Sequence, residues 1–343
     1  MMAGETPAFW WRAPGWQTAC LAPFASAYGA AAARRLERGE RAEAGVPVVC
    51  VGNFTVGGGG KTPTAIALGR AARAEGLSPG FVSRGHGGAL REATLVDLAH
   101  HHAGLVGDEP MLLAQEAPTA VAADRKRAAA LLVAAGADFL VMDDGFQSAR
   151  LAADLTLVAI DAGRGLGNAR VVPAGPLRAP LRDQIRHADA LLVIGRGSAG
   201  DAAIRLTARS NRPVFEARLL AREAERFRER RVFAFAGIAD PEKFYRSLRE
   251  AGATLAGARD FPDHHRFSEE EMHDLREAAR RAGADLVTTA KDLVRLEGGG
   301  ETAARFREAV DVFAVDLVFE PPELARRFVR EAVAAFKARR LRP

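Results

Sequence analysis

The chain has 343 residues, 48% of them hydrophobic and 27% charged, with a formal net charge of +5. That is enough length for two packed domains, and two cysteines (Cys20, Cys50) exclude a disulfide framework or a cysteine zinc cluster and fit a reducing compartment. The positive excess suits phosphorylated substrates or acidic lipid surfaces; nucleic acid is not expected, because no RRM-type signature, zinc finger or basic stripe interleaved with aromatics occurs.

Residues 13–33, APGWQTACLAPFASAYGAAAA, carry no charge and are flanked by Arg12 and by Arg34, Arg35, Arg38 and Arg41. Their length could span a bilayer, but two prolines, two glycines and many alanines weaken that reading. Trp16, Cys20, Phe24 and Tyr28 recur every four residues, just after Trp10 and Trp11. The pattern predicts an interfacial helix over 1–45, aromatic face in lipid and arginines at the headgroups. A signal peptide ending in A-S-A and an ordinary core helix are the competing readings.

From Val46 onward, apolar runs alternate with helical patterns, which predicts a parallel sheet with covering helices over 46–212. Strands are expected at 46–51, 80–83, 119–122, 138–142, 155–160 and 190–194, and helices at 61–75, 108–116, 124–135 and 182–187. Between the first strand and first helix lies VGNFTVGGGGKTP (51–63). Strand, glycine loop, Lys-Thr and helix are the parts of a P-loop, although Thr55 stands where its first glycine is usual. Backbone N–H groups of Gly57, Gly58, Gly59 and Gly60 would face phosphate oxygens at the helix N-terminus, next to Thr55 and Pro63. Lys61 would reach the β- and γ-phosphates and the Thr62 hydroxyl would bind Mg²⁺.

Farther on, GDEP (107–110) by itself reads as a helix cap at Asp108 with Pro110 in the first turn. FLVMDDGFQ (139–147) places Asp143 and Asp144 at the end of a buried strand, where the cation of a P-loop protein is commonly held. Residues 196–212 are poor in apolar clusters and suggest the first domain's end. A strand at 213–219 and a charged connector lead into a smaller α/β unit. VDVFAVDLVFEPP (310–322) reads as one more strand, and an amphipathic basic helix follows over 321–343. DHH (263–265) offers a base or an orienter. His100 to His102 read as loop. Lys291-Asp292 lacks the spacing of a guanine-reading motif.

Together these segments resemble the tetraacyldisaccharide 4′-kinase family. The resemblance rests on VGNFTVGGGGKTP, SRGHGG (83–88), GDEP, ADRKRAA (123–129), MDDGFQ (142–147), GNARVVPAGPLRAPL (167–181), FAGIADPEKFYRSLREAG (235–252), FPDHHRFSEEE (261–271) and TTAKDLVRL (288–296), in family order along nearly the whole chain. It implies ATP- and Mg²⁺-dependent phosphorylation of a lipid disaccharide 1-phosphate at its 4′-hydroxyl, on the cytoplasmic face of a bacterial inner membrane, with no obligate protein partner. It also implies two α/β domains around a cleft. The smaller would cover 213–320 with two linker strands (213–219, 313–319), and the C-terminal helix would return to the first domain. Carried over by motif, Asp108 is the catalytic base and His264 its support. Thr62, Glu109, Asp143 and Asp144 serve the metal, while Asn53, Arg84, Arg125, Asp144 and Gln147 serve the substrate. The chain departs from the family's pattern at Gly59, Ser148 and Ala290, where threonine, histidine and glutamate are usual. A membrane-cycling P-loop ATPase and a non-catalytic binding module are the rival readings. The first lacks its extra lysine at Thr55-Val56, and the second would not need Lys61, Thr62, Asp108 and the aspartate pair.

Overall fold

Apolar β-branched runs alternating with alanine-rich helices give the computed structural model two sheets with helices packed on them; it describes residues 6–148 and 150–341. The outermost residues of the expected 1–45 and 321–343 segments, 1–5 and 342–343, lie outside that description. In chain order the elements are α1 (Trp16–Arg38), β1 (Val48–Asn53), α2 (Lys61–Ala74), β2 (Pro79–Ser83), β3 (Thr94–Leu95), α3 (Ala103–Val106), α4 (Asp108–Ala114), β4 (Thr119–Val121), α5 (Arg125–Ala134), β5 (Phe139–Asp143) and β6 (Leu155–Asp161). Next come α6 (Leu181–Arg186), β7 (Ala190–Ile194), α7 (Asp201–Arg209), β8 (Val214–Ala221), β9 (Arg231–Ala236), α8 (Pro241–Glu250) and β10 (Thr254–Asp260). The last are α9 (Glu269–Ala282), β11 (Asp285–Thr289), α10 (Ala290–Arg295), α11 (Gly300–Glu308), β12 (Val310–Phe313), β13 (Val315–Glu320) and α12 (Leu324–Arg340).

The larger sheet has nine strands in the order β13-β8-β7-β6-β1-β5-β2-β4-β3. It is parallel except at its two ends, where β13 runs against β8 and β3 against β4. Because successive strand residues face opposite sides, β1 feeds both layers. Val49 and Val51 pack with Leu68 of α2 and Phe328 of α12, whereas Val48 and Cys50 pack with Leu132 of α5 and Met142. Truncating Phe328, which is buried between β13 and α2, would cost about 3–5 kcal/mol. The smaller sheet, β10-β9-β11-β12, is parallel throughout.

Two expectations change. The 196–212 stretch is no boundary: α7 lies within it and β8 then joins the same sheet as β7. Its signal is faint because the residues α7 buries, Ala203 and Thr207, are small or polar. The 310–322 run is not one strand. It breaks at Ala314, so that β12 completes the smaller sheet and β13 crosses to the larger one. The chain thus passes between lobes twice, at residues 222–230 and at Ala314, side by side: the Arg222 N–H donates to the Ala314 carbonyl at 2.9 Å.

Candidate active site

β1 lies between β5 and β6 at the centre of the larger sheet, and the loop after it runs into the N-terminus of α2. In an open parallel sheet this is where ligands bind. Gly60 caps α2 with φ 76°, and a Cβ there would come within 2.5 Å of Ile194, so the loop can close only on glycine. Lys61, 6% exposed, folds back on its own loop, its Nζ donating to the Gly57 carbonyl at 3.1 Å with Asp144 Oδ1 at 3.9 Å. Asn53 sits beneath, its Oδ1 accepting from the Thr55 N–H at 2.8 Å and the Thr55 hydroxyl at 3.0 Å. A side chain at Gly59 would collide with Asn53 Nδ2, so this loop has no room for the usual threonine as it stands.

β5 runs beside β1 with Asp143 paired to Val51, which brings the aspartates under the loop. The Thr62 hydroxyl donates to Asp143 Oδ2 at 3.0 Å, and Asp143 Oδ1 is buried with no hydrogen-bond partner. Burial, reinforced by the Glu109 and Asp144 charges over the opposing Lys61, pushes Asp143 up to about 7. A buried Thr-Asp pair with an orphaned carboxylate oxygen fits a hard divalent cation that completes its shell with phosphates and water. Among the described residues no cluster of three or more His, Cys, Asp or Glu is arranged to hold an ion alone.

Asp144 adopts the left-handed backbone, φ 52°, at the loop after β5. Arg178 clasps it with Nη1 to Oδ1 at 2.7 Å and Nη2 to Oδ2 at 2.9 Å, while Nε donates to the Thr55 carbonyl at 2.9 Å. Burial would raise this carboxyl, but the Arg178 and Lys61 charges hold it well below the usual range. Gln147 Nε2 donates to the Asn53 carbonyl at 2.7 Å and to Gln184 at 3.0 Å. Arg125, buried, donates to the Asp144 carbonyl at 2.7 Å, whereas Arg84 stands exposed on the cleft wall. Ser148, also at that wall, donates to the Gly145 carbonyl at 2.9 Å.

The second lobe closes the other side. Asp108 opens α4 after Gly107, whose φ of 98° excludes a side chain, as does the His86 carbonyl, which a Cβ there would meet at 2.5 Å. Asp108 is 4% exposed; its Oδ2 meets His264 Nδ1 at 3.1 Å and Arg295 Nε at 2.8 Å, and its Oδ1 accepts the Glu109 N–H at 2.9 Å. Burial alone would raise Asp108, but the His264 hydrogen bond and the Lys291 and Arg295 charges outweigh it and hold it well below the carboxylate range. His264, itself at φ 62°, is raised by its hydrogen bond to Asp108, and it lines the cleft. Glu109 is taken by Lys291 Nζ at 2.8 Å.

The sequence-expected residues therefore converge on one cleft of about 1640 Å³. Pro63, Glu109, Arg125, Asp143, Asp144 and Gln147 line it beside the glycine loop, and Asn53, Thr55 and Asp108 lie just behind its wall. His265, by contrast, turns away to Glu271 at 2.9 Å, His100 pairs with Asp97 and His102 caps α3. Sequence reasoning assigned no role to Arg178, Gln184, Lys291 or Arg295. The spacing of Lys291 and Arg295, four apart on α10, was the available sign that both cations share one helix face.

A glycine loop with buried Lys-Thr, a strand-end aspartate and an Asp-His contact made across to the facing lobe define a P-loop protein of the phosphoryl-transfer class. A family model described as "Tetraacyldisaccharide-1-P 4'-kinase" matches residues 17–333. Relatives named tetraacyldisaccharide 4′-kinase occur in Agrobacterium fabrum, 50% identical over 99% of this chain and 98% of theirs, and in Brucella anthropi, 51% identical over 98% and 99%. The chain belongs to the tetraacyldisaccharide 4′-kinase family. The fold is also that of LpxK from Aquifex aeolicus, whose crystal structure is described as a complex with ATP: TM-score 0.68 and 24% identity over 92% of this chain and 99% of that one.

Proposed function

We propose that the protein transfers the γ-phosphoryl group of ATP to the 4′-hydroxyl of a tetraacyl disaccharide 1-phosphate, giving lipid IVA in lipid A biosynthesis. The single observation that carries this reading is the meeting of Asp108 with His264 across the lobes, in the cleft that also holds the glycine loop. The glycine N–H groups and Lys61 cradle the β- and γ-phosphates, the ammonium exchanging the Gly57 carbonyl for phosphate oxygens. Thr62 and Asp143 would hold Mg²⁺, with Asp144 and Glu109 beside them; bound there, the ion would neutralise charge on the transferring group. The acceptor hydroxyl gives its proton to the Asp108–His264 pair. By the resemblance Asp108 is the base; here it is buried and held below the carboxylate range while His264 faces the cleft, so His264 takes the proton and the Asp108 charge stabilises it there. Arg84, Arg125 and Gln147 orient the sugar and its phosphate, and Asn53, behind the wall, holds Gln147 and the loop in place.

The proposed setting is the cytoplasmic face of a bacterial inner membrane, with α1 lying in the interface. No helix among the described residues is long and apolar enough to cross a membrane. Trp16, Cys20, Phe24 and Tyr28 stand exposed along α1, while Thr18, Ala25, Gly29, Ala32 and Leu36 pack inward. Tyr28, Ala32 and Arg35 also line the cleft, which supports delivery of a lipid headgroup from that face. The test is incubation with ATP and a monophosphorylated acyl disaccharide, with mass spectrometry of the product. One added phosphate at the 4′ position is expected. ATP turnover independent of the lipid would instead indicate the membrane-cycling ATPase, and no turnover a binding module.

A further inference from the structure

Arg295 sits where the lobes touch, its side chain 4% exposed. Its Nε and Nη2 both donate to Asp108 Oδ2, and its Nη1 donates to the Gly237 carbonyl and, at 2.8 Å, to Asp292 Oδ1. Asp292 is fully buried, and its oxygens also accept the Gly237 N–H at 3.0 Å and the Thr289 hydroxyl at 2.6 Å. The guanidinium is thus fixed from behind by its own lobe and presents its free edge to a carboxylate of the other. One turn earlier on the same face, Lys291 binds Glu109. Between them Val294 is buried in an apolar cluster with Val106, Met111 and Val121. The face of α10 therefore matches the start of α4 in charge and in shape.

A buried guanidinium is costly to desolvate unless its donors are matched. Balancing the charge of Asp108 could be left to an exposed, mobile lysine; the two-pronged planar contact adds direction. We propose that Arg295 is a positioning residue for phosphoryl transfer. When α10 docks on α4, it pins Asp108 Oδ2 in the orientation that receives His264 Nδ1, so the Asp108–His264 pair is assembled only with the lobes closed. This rests on the reading of that pair as the proton acceptor.

A residue that acts through Asp108 has nothing to contribute once Asp108 is gone. The experiment compares the full-length protein with Arg295→Gln, Arg295→Lys, Asp108→Ala and the Asp108→Ala/Arg295→Gln double variant, each checked by circular dichroism and thermal melting. Arg295→Gln is expected to lower kcat on the order of 10²-fold, as misplacement of a reacting group does, with little change in KM for ATP. In the Asp108→Ala background the same substitution is expected to cost no further kcat. Arg295→Lys, which keeps the charge but not the fork, should fall between Arg295→Gln and the wild type. Three results overturn the proposal. An undiminished kcat in Arg295→Gln, while Asp108→Ala is impaired, removes the positioning role and leaves the pair standing. A full additional loss in the double variant makes Arg295 a general support of the lobe. An undiminished Asp108→Ala takes down the pair itself. Should Arg295→Gln fail to fold, Arg295→Lys decides: reduced kcat with near-normal melting upholds the role, and full kcat ends it.

Discussion

The Lys61 ammonium donates to the Gly57 carbonyl at 3.1 Å, a neutral acceptor that phosphate oxygens easily replace. Its loss leaves the β- and γ-phosphates without their fixed cation, so Lys61→Ala is expected to lower kcat by roughly 10²–10³-fold. Steady-state kinetics check this, and near wild-type turnover would move the nucleotide site elsewhere. For the proton-accepting pair, the hydrogen bond to Asp108 raises His264 above its ordinary value. A base must be deprotonated to act, so the rate should fall on the acid side with a midpoint above about 6.5. Asp108→Asn removes the charge that raises His264, and the acid limb should move to lower pH. A pH–rate profile with its acid limb already below that value in the wild type would contradict the assignment. Asp108→Ala and His264→Ala should each depress kcat strongly, and together little more than the worse of the two, since groups acting as a unit are non-additive.

Helix α2, which begins at the nucleotide loop, is tied to the lobe crossings by charge. Arg70 on α2 donates to Glu116, just beyond α4, and at 2.7 Å to Asp316 on β13; Arg222, just after β8, donates to Asp316 at 2.8 Å. The Arg70 hydrogen bond holds Glu116, and the Arg222 hydrogen bond holds Asp316, below the usual carboxylate range. Folded values that are depressed mean that this stabilisation is present above the unfolded carboxylate range of about 4 and is lost as pH falls through the folded values. The groups are only partly buried, so solvent screening keeps the effect modest. Melting temperature should therefore drop below about pH 4 in the wild type and drop less steeply in Asp316→Asn, which starts lower at neutral pH. Parallel slopes for the two proteins would remove the network from the acid response.

Across the whole molecule, the inward side of α1 is small at Thr18, Ala25, Gly29 and Ala32, with Leu36 the one larger residue; this lets Gly29 approach Pro180 and Val171 and leaves the aromatics outside. Trp16 is 74% and Phe24 66% exposed, so replacing both by serine should leave folding intact. Binding to anionic vesicles should fall, and the KM for a long-chain lipid acceptor should rise much more than that for a short-chain, detergent-dispersed one. High salt should weaken the arginine share of binding and leave the aromatic share. Sedimentation with vesicles measures both, and undiminished binding by the double variant would show that this face is not the anchor.

The nucleotide half of the site was legible in the residues because its parts are neighbours in the chain. Strand, glycines, Lys61-Thr62 and helix lie within one short span, and the glycines are required by local backbone geometry. The strand-end Asp143 was legible too, since a buried apolar run that ends in a carboxylate is a local pattern. The facing half was legible only through the family resemblance. Asp108 alone reads as a helix cap; the resemblance made it the base with His264 as its support, and its contacts with His264 and Arg295, 156 and 187 residues away, are set by the tertiary structure. Arg178 is silent in the sequence for the same reason, being 34 residues from the Asp144 it clasps. Nor could the 310–322 run announce its division, because β12 and β13 share one apolar alternation and part only where two different sheets compete for them. Local periodicity and backbone chemistry determine the strands, the helices and the phosphate loop. Which charges meet across the cleft is decided by lobe packing, which brings together groups that no short-range pattern connects.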